Sequence, residues 1–380
     1  MATSSEIYFE LVELSGRVVA KGTWSAALRA NCLYQCAHLV KPGRRCRLLK
    51  GSLEITPITR LAALDLSSGT CIQVVWLSSS AADRYLQSRA FAAIKADGSV
   101  VTWGNAGFGG NSSAVAPLLK EGVVRVCATY HALAAIKEDG SVVTWGNAGS
   151  GGDSSAVAPL LKEGVVQVCG NSQAFAAIKE DGSVVTWGDA DYGGDSSAVA
   201  PLLTEGVVQV CGSNLAFAAI KADGSVVTWG HAEFGGDSSA VAPLLKEGVV
   251  QVCGNSNAFA AIKEDGSVVT WGDADYGGGD SLAVAPLLAE GVVQVCGNSL
   301  AFAAIKADGS VVTWGNAGCG GDSSAVAPLL TQGVVQVCGN SQAFAAIKED
   351  GSVVTWGDAG CGGCSSAVAP LLREGVVQVC

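Results

Sequence analysis

The 380-residue sequence is short of charge: 15% of its residues are charged, against ~25% in an average soluble chain. Aromatic residues make up 6%, Met occurs once, Pro nine times and His three times. Long apolar runs are missing as well. Gly, Asp, Lys or Ser interrupts every apolar stretch within about ten residues, and a membrane helix needs ~20, so no membrane span is expected. Scarce Pro and Gly without a three-residue period exclude a collagen-type chain. Val, Leu, Ile and Trp are plentiful and evenly spread, which excludes disorder. There is no phosphate loop, no paired-His metal motif and no Gly-x-Ser-x-Gly elbow. A non-enzymatic protein with no cofactor and no metal is therefore expected. The start, Met-Ala-Thr-Ser-Ser-Glu, lacks a charged n-region and an apolar h-region, so no signal peptide is expected. That favours a cytoplasmic or nuclear protein whose 14 cysteines are free thiols.

What is abundant is small: 49% of residues are hydrophobic, and Gly alone occurs 50 times. The net charge of −11 is unevenly divided. Residues 1–78 hold nine basic and five acidic residues, a balance of +4; the remainder holds 14 and 29, a balance of −15. The split predicts two domains. The acidic part argues against nucleic acid as a partner, because phosphate binding needs clustered Lys and Arg.

From residue 90 the chain repeats. Thr-Trp-Gly places Trp at 103, 145, 187, 229, 271, 314 and 356, a period of 42 with one step of 43. Each copy reads Ala-Phe-Ala-Ala-Ile-Lys, an Asp-Gly-Ser turn, Val-Val-Thr-Trp-Gly, a Gly-rich loop, Ser-Ser-Ala-Val-Ala-Pro-Leu-Leu and Gly-Val-Val-Gln-Val-Cys, with small variations. Asp-Gly between two apolar runs signals a hairpin, so 90–95 and 100–104 are predicted antiparallel strands, and likewise in every copy. Val-Val-x-Val-Cys reads as a third strand. The Pro demotes Ser-Ser-Ala-Val-Ala-Pro-Leu-Leu to an edge strand or a turn. Three or four short strands per copy, seven times over, predict a mainly β fold, a seven-bladed β-propeller over 90–380. The first hairpin has no Val-Val-x-Val-Cys strand before it, and 376–380 is such a strand with no hairpin after it. Pairing of 376–380 with the first hairpin is expected to close a monomeric ring.

The unit resembles the regulator-of-chromosome-condensation repeat family. The likeness is carried by His131-Ala132-Leu133-Ala134, by Gly140-Ser141-Val142-Val143-Thr144-Trp145-Gly146 and by Asn147. It covers 90–380, although none of the other six copies keeps the His and the copies are shorter than usual for the family. The resemblance permits guanine-nucleotide exchange on a small GTPase. Residues 1–77 alternate as strands over 6–14 and 17–21. A helical face follows at Leu28, Cys32, Cys36 and Leu39, ended by Pro42-Gly43. Strands or turns at 47–53, 61–65 and 72–77 complete a ββαββ order. This order resembles a small α+β ubiquitin-like β-grasp domain, which implies a docking module or an adaptor in ubiquitin and proteasome pathways. Residues 78–89 read as a linker.

The copies differ mainly in the loop after Trp-Gly. Copies three to five carry Asp189, Asp191, Tyr192, His231, Glu233, Phe234, Asp273, Asp275 and Tyr276 there. An exposed aromatic patch with carboxylates suits a basic protein partner; a solvated loop that drifted between duplicates would look the same. Cys361-Gly-Gly-Cys364 is an isolated CxxC, read as redox-active or as ordinary thiols. Lys41, Arg44, Arg45, Arg47 and Lys50 form a basic run, read as a docking patch or a solvated turn. The function expected is a protein-interaction scaffold, with the loop rim as its binding face.

Overall fold

The computed structural model describes residues 6–13, 16–28, 30–40, 46–50, 53–55, 59–64, 69–76, 89–95, 97–275, 278–376 and 379. The chain divides into two compact units, Met1–Val210 with Ala219–Asp223, and Cys211–Ala218 with Gly224–Cys380.

The first unit opens with strands β1 (Glu6–Glu13) and β2 (Val18–Ser25), helix α1 (Asn31–Val40), then β3 (Cys46–Lys50), β4 (Leu53–Ile55) and β5 (Cys71–Trp76). They form one sheet in the order β2-β1-β5-β3-β4. β1 runs parallel to β5 with Leu11 opposite Ile72, and the other pairs are antiparallel. Side chains alternate across a strand, so Phe9 and Leu11, Ile72 and Val74, and Leu48 fall on one face. All five are fully buried together with Leu33 and Ala37 of α1. Burying each of the larger ones contributes roughly 1.5–3 kcal/mol.

Two expectations need correcting here. The helix turns Leu33 and Ala37 to the core, while Cys32 and Cys36 pack at its margin. Leu28 lies outside the helix and is exposed. Its main chain explains why: Leu28 N–H donates to Ser25 O, and Leu28 O accepts from Leu61 N–H. Lys50 leaves the basic run, because it is buried and its Nζ donates to the carbonyls of Gly69 and Cys71. Lys41, Arg44 and Arg45 lie outside the described residues, as does the linker up to residue 88.

The repeats begin with β6 (Ala90–Ile94) and β7 (Val100–Gly104), a two-stranded hairpin. The next copy forms a three-stranded sheet of β8 (Val123–Ala128), β9 (Ala132–Lys137) and β10 (Val142–Gly146). Here β8 pairs with β9, so each Val-Val-x-Val-Cys strand joins the hairpin that follows it. Five further sheets repeat this order. The fold is thus mainly β: among the described residues, the repeats form six three-stranded sheets and one hairpin, besides the five-stranded N-terminal sheet. Val377, Gln378 and Cys380 of the expected closing strand lie outside the described residues. Among the described residues β6 and β7 pair only with each other.

The Pro-containing segment is neither edge strand nor simple turn. It is a short 3₁₀ helix in the described copies, Ser155–Leu161 for example, with Pro159 inside it and Leu161 buried. A 3₁₀ helix this short needs few N–H donors, so a Pro is tolerated where an α-helix would break.

Neighbouring copies interlock through one arrangement. In the first unit Phe175 stacks on Trp187 with centroids 5.2 Å apart, opposite each other across the hairpin. Trp187 Nε1 donates to Gly151 O of the preceding copy at 3.0 Å. Gly151 has φ +95°, and a Cβ there would lie 2.5 Å from the Phe175 ring. The second unit repeats the pattern at Trp271, Trp314 and Trp356, which donate to Gly235, Gly278 and Gly320.

The hairpin turns are held by Asp-Gly-Ser. Asp139 Oδ1 accepts from Ser141 N at 2.9 Å and from Ser141 Oγ at 2.6 Å. Gly140 (φ +74°) brings its backbone so close that a Cβ would meet Gly164 N at 2.6 Å. Val165 N–H then donates to Gly140 O at 3.0 Å, tying the turn to the next strand.

Gly151→Ala combines a left-handed backbone, worth roughly 1–2 kcal/mol, with overpacking worth roughly 1–3 kcal/mol. Gly362, with φ +93° but nothing within 4 Å of its Cβ position, isolates the backbone part. In urea unfolding Gly151→Ala should lose clearly more stability than Gly362→Ala; equal losses would refute the interlock.

The Ser hydrogen bonds lower the pKa of the turn carboxylates Asp97, Asp139, Asp181, Asp308 and Asp350. The unfolded chain therefore binds more protons than the folded one. The stabilisation is present above the ordinary Asp value of 3.8 and is lost as pH falls through the lower folded values. Tm should drop on acidification toward about pH 2, and replacing the five with Asn, which keeps an acceptor oxygen, should flatten that drop.

Candidate functional site

Two loops of each copy meet at the same sheet end: the loop leading into the hairpin and the turn after Trp-Gly. In copy three Asn171 joins them. Its Oδ1 accepts from Gln173 N at 2.9 Å and Ala174 N at 2.7 Å, and its Nδ2 donates to Tyr192 O at 2.6 Å. Asn298 and Asn340 bind Cys319 O and Cys361 O in the same way. Where the copy has Ser or Thr, a hydroxyl does the work: Ser213 Oγ donates to Phe234 O at 2.9 Å and Thr129 Oγ1 to Ser150 O at 3.3 Å. The clamp is directed at a main-chain carbonyl, so it places no demand on the side chain of the turn.

In copies one, two, three, six and seven the turn is a one-turn 3₁₀ helix capped by its first residue, whereas His231 of copy four makes no side-chain cap bond. Asp189 Oδ1 accepts from Asp191 N at 3.1 Å, and Asp273 Oδ1 accepts from Asp275 N at 2.9 Å. Asn105 and Asn147 cap their turns in the same manner. The Asn/Asp alternation at this position therefore reflects equivalent caps, and Asp189 and Asp273 serve the turn. In the first unit Asp191 is exposed and Tyr192 half-buried; in the second, Glu233 and Asp275 are exposed while His231 and Phe234 are half-buried. His231 and Phe234 meet edge to face with centroids 5.0 Å apart. Of the expected rim residues, Tyr192 and Phe234 are thus half-buried, whereas Asp191, Glu233 and Asp275 are exposed. Tyr276 lies outside the described residues.

A further cluster sits where copies one and two meet, in the first unit. His131 lies 4.6 Å from Phe108, ring to ring, and the Arg89 guanidinium lies over the Phe108 ring, 5.8 Å from its centroid. Burial, and then the nearby Arg89 charge, push the His131 pKa below its ordinary value. The sequence signal was present in Phe108 and His131, but Arg89 stands at the position that His131 holds in the next copy, and no other copy has Arg there.

The CxxC thiols take separate partners. Cys361 Sγ lies 3.7 Å from Gln342 Oε1 and Cys364 Sγ 3.2 Å from Ser366 Oγ; both are free cysteines. The Ser366 hydroxyl, and then its backbone N–H, lower the Cys364 thiol pKa. Cys127, on a repeated strand, is buried, which pushes its thiol up to about 11, and its Sγ donates to Val168 O at 3.0 Å. Among the described residues no group of three or more His, Cys, Asp or Glu is arranged to hold a metal ion. No helix there is long and apolar enough to cross a membrane.

No family model and no curated protein matches the chain. Solved structures resemble it at low identity. Yeast RCC1 (Prp20) bound to Kap60 is 16% identical over 67% of this chain and 74% of that chain, with a TM-score of 0.40. Prp20p from Saccharomyces cerevisiae is 14% identical over 88% and 85%, also at 0.40. The CRINKLY WD40 ectodomain of the Arabidopsis thaliana receptor kinase ACR4 is 15% identical over 76% and 93%, at 0.37.

Asn171 is fully buried, so Asn171→Ala strands the Tyr192 carbonyl and two N–H groups at a cost of roughly 1–3 kcal/mol. The exposed Asp191→Ala should stay within about 0.5 kcal/mol. Chemical denaturation of both variants distinguishes clamp from tip.

Proposed function

We propose that the chain is a non-enzymatic protein-interaction platform of the β-propeller type, reading basic protein surfaces with the acidic tips of its Trp-Gly turns. The observation that carries this reading is the division of labour inside each turn. In copy three clamp and cap together hold the turn while Asp191 is exposed; Glu233, on a clamped turn, and Asp275, on a capped one, are exposed as well. A rigid support bearing variable exposed tips is what a recognition loop requires. The −15 balance of the repeat region supports a cationic partner through long-range attraction.

The N-terminal sheet supports a second module. Its order β2-β1-β5-β3-β4, with β1 and β5 parallel and one helix against Leu48 and Ile72, fits the ubiquitin-like reading and a docking role in ubiquitin pathways.

The test is affinity capture from lysate with the full chain and with Asp191→Ser/Glu233→Ser/Asp275→Ser. The variant should lose salt-sensitive partners by about tenfold or more, while partners of the N-terminal domain stay. Unchanged partner sets would discredit the tips. Accelerated nucleotide release from a small GTPase would instead favour the exchange activity that the family resemblance implies.

A further inference from the structure

Each copy holds a seat for a hydrogen-bond acceptor just before its Pro-containing 3₁₀ helix. In copies one to six Oδ1 of Asn111, Asp153, Asp195, Asp237, Asp280 and Asp322 accepts the N–H of the second residue on, at 2.8–3.0 Å. Copy seven places Cys364 in this seat. Its Sγ lies 3.2 Å from Ser366 Oγ, the side chain of that second residue. A seat that suits a carboxylate also suits a thiolate, since both are anionic acceptors. The Ser366 hydroxyl and N–H accordingly hold the Cys364 thiol below its ordinary pKa.

The seat is exposed in all seven copies. Copies two and six are among them, and each is followed by a further copy in its own unit. Solvent access to Cys364 is thus a property of the turn and does not depend on what adjoins copy seven. Copy seven alone also has a second thiol on the same turn. Cys361 N–H donates to Asp358 Oδ1 at 2.9 Å, and its Sγ makes long contacts, 3.7 Å to Gln342 Oε1 and 4.0 Å to Ser341 Oγ. Only Gly362 and Gly363 separate the two cysteines, so no intervening side chain obstructs their approach. A disulfide needs Cα atoms about 4.4–6.8 Å apart, within the reach of three peptide steps. Other thiols lack this setting. Cys127 is buried and pushed up to about 11, and Cys319, the counterpart of Cys361, is buried and likewise pushed up.

We propose that Cys364 and Cys361 form an oxidation-sensitive pair, in which Cys364 reacts with a hydroperoxide and Cys361 closes a disulfide with it. The Cys364 thiolate attacks one peroxide oxygen. An S–O bond forms, the O–O bond breaks, and the departing oxygen takes a proton, leaving a sulfenic acid. The Cys361 thiol then attacks that sulfur; the S–S bond forms, the S–O bond breaks, and water leaves. Two thiols and one hydroperoxide thus give one disulfide, one water and one further water or alcohol. Only Cys364 has to meet the oxidant.

Peptide mapping of the full chain tests this. Trypsin releases residues 349–373, which carry Cys361 and Cys364 and no other Cys. After a small molar excess of hydrogen peroxide, this peptide should be about 2 Da lighter than its reduced form and take no iodoacetamide. Cys361→Ser should stop at a Cys364 sulfenic acid that dimedone traps, and Cys364→Ser should leave Cys361 open to alkylation. A tenfold gain in thiolate fraction nets about a threefold gain in rate, because a weaker base is a weaker nucleophile. Without peroxide at pH 7, Cys364 should therefore take iodoacetamide about threefold faster than the exposed Cys71 of β5, and Ser366→Ala should remove that advantage. A wild-type peptide that keeps both thiols, or that oxidises Cys364 beyond sulfenic acid without the disulfide, overturns the proposal. So does Cys364 reacting no faster than Cys71. Should a variant misfold, the wild-type peptide still decides.

Discussion

The step from one copy to the next rests on a single contact: an aromatic pair seated under a glycine. Phe175 and Trp187 need each other across the hairpin, and together they leave no room for a Cβ on Gly151. The indole N–H is buried by the same packing and must find an acceptor. It finds one in the carbonyl of that same glycine, 3.0 Å away. Apolar burial, hydrogen-bond satisfaction and backbone conformation thus converge on one residue position. Copy two keeps the same Trp–Gly bond and the same close fit with Leu133 in place of Phe, so Trp and Gly are the fixed pair and the position opposite Trp needs apolar bulk.

The loop end is built on the opposite logic. Its clamps bind main-chain atoms, and its caps accept Asn or Asp equally. The clamp position has Asn in copy three, Ser in copy four and Thr in copy two, each with an oxygen that accepts the Ala N–H three residues on. None of these contacts reads the side chain at the tip. Asp191, Glu233 and the small residues of other copies can therefore exchange without disturbing the frame, which is the physical condition for a surface whose chemistry varies over a constant scaffold.

Much of this was legible in the sequence because the repeat fixed both period and phase. Asp-Gly located every hairpin, and the missing strand before residue 90 showed that Val-Val-x-Val-Cys belongs to the following sheet. What was not legible was set by contacts that periodicity does not carry. Pro159 suggested an edge strand or a turn, yet buried Leu161 holds a 3₁₀ turn around it. The i, i+4 arithmetic fitted Cys32 and Cys36 as well as Leu33 and Ala37, and main-chain bonds at Leu28 favoured the second stripe. Lys50 read as surface charge until two carbonyls enclosed it. At the rim, composition named the variable residues but could not separate capping carboxylates from projecting ones.

A contact repeated between identical neighbours also gives the molecule its weak points. Each Phe-Trp pair takes its seat from the Gly turn of the copy before it, as Phe175 and Trp187 do from Gly151, so loosening one Gly turn should loosen the hairpin that follows it as well.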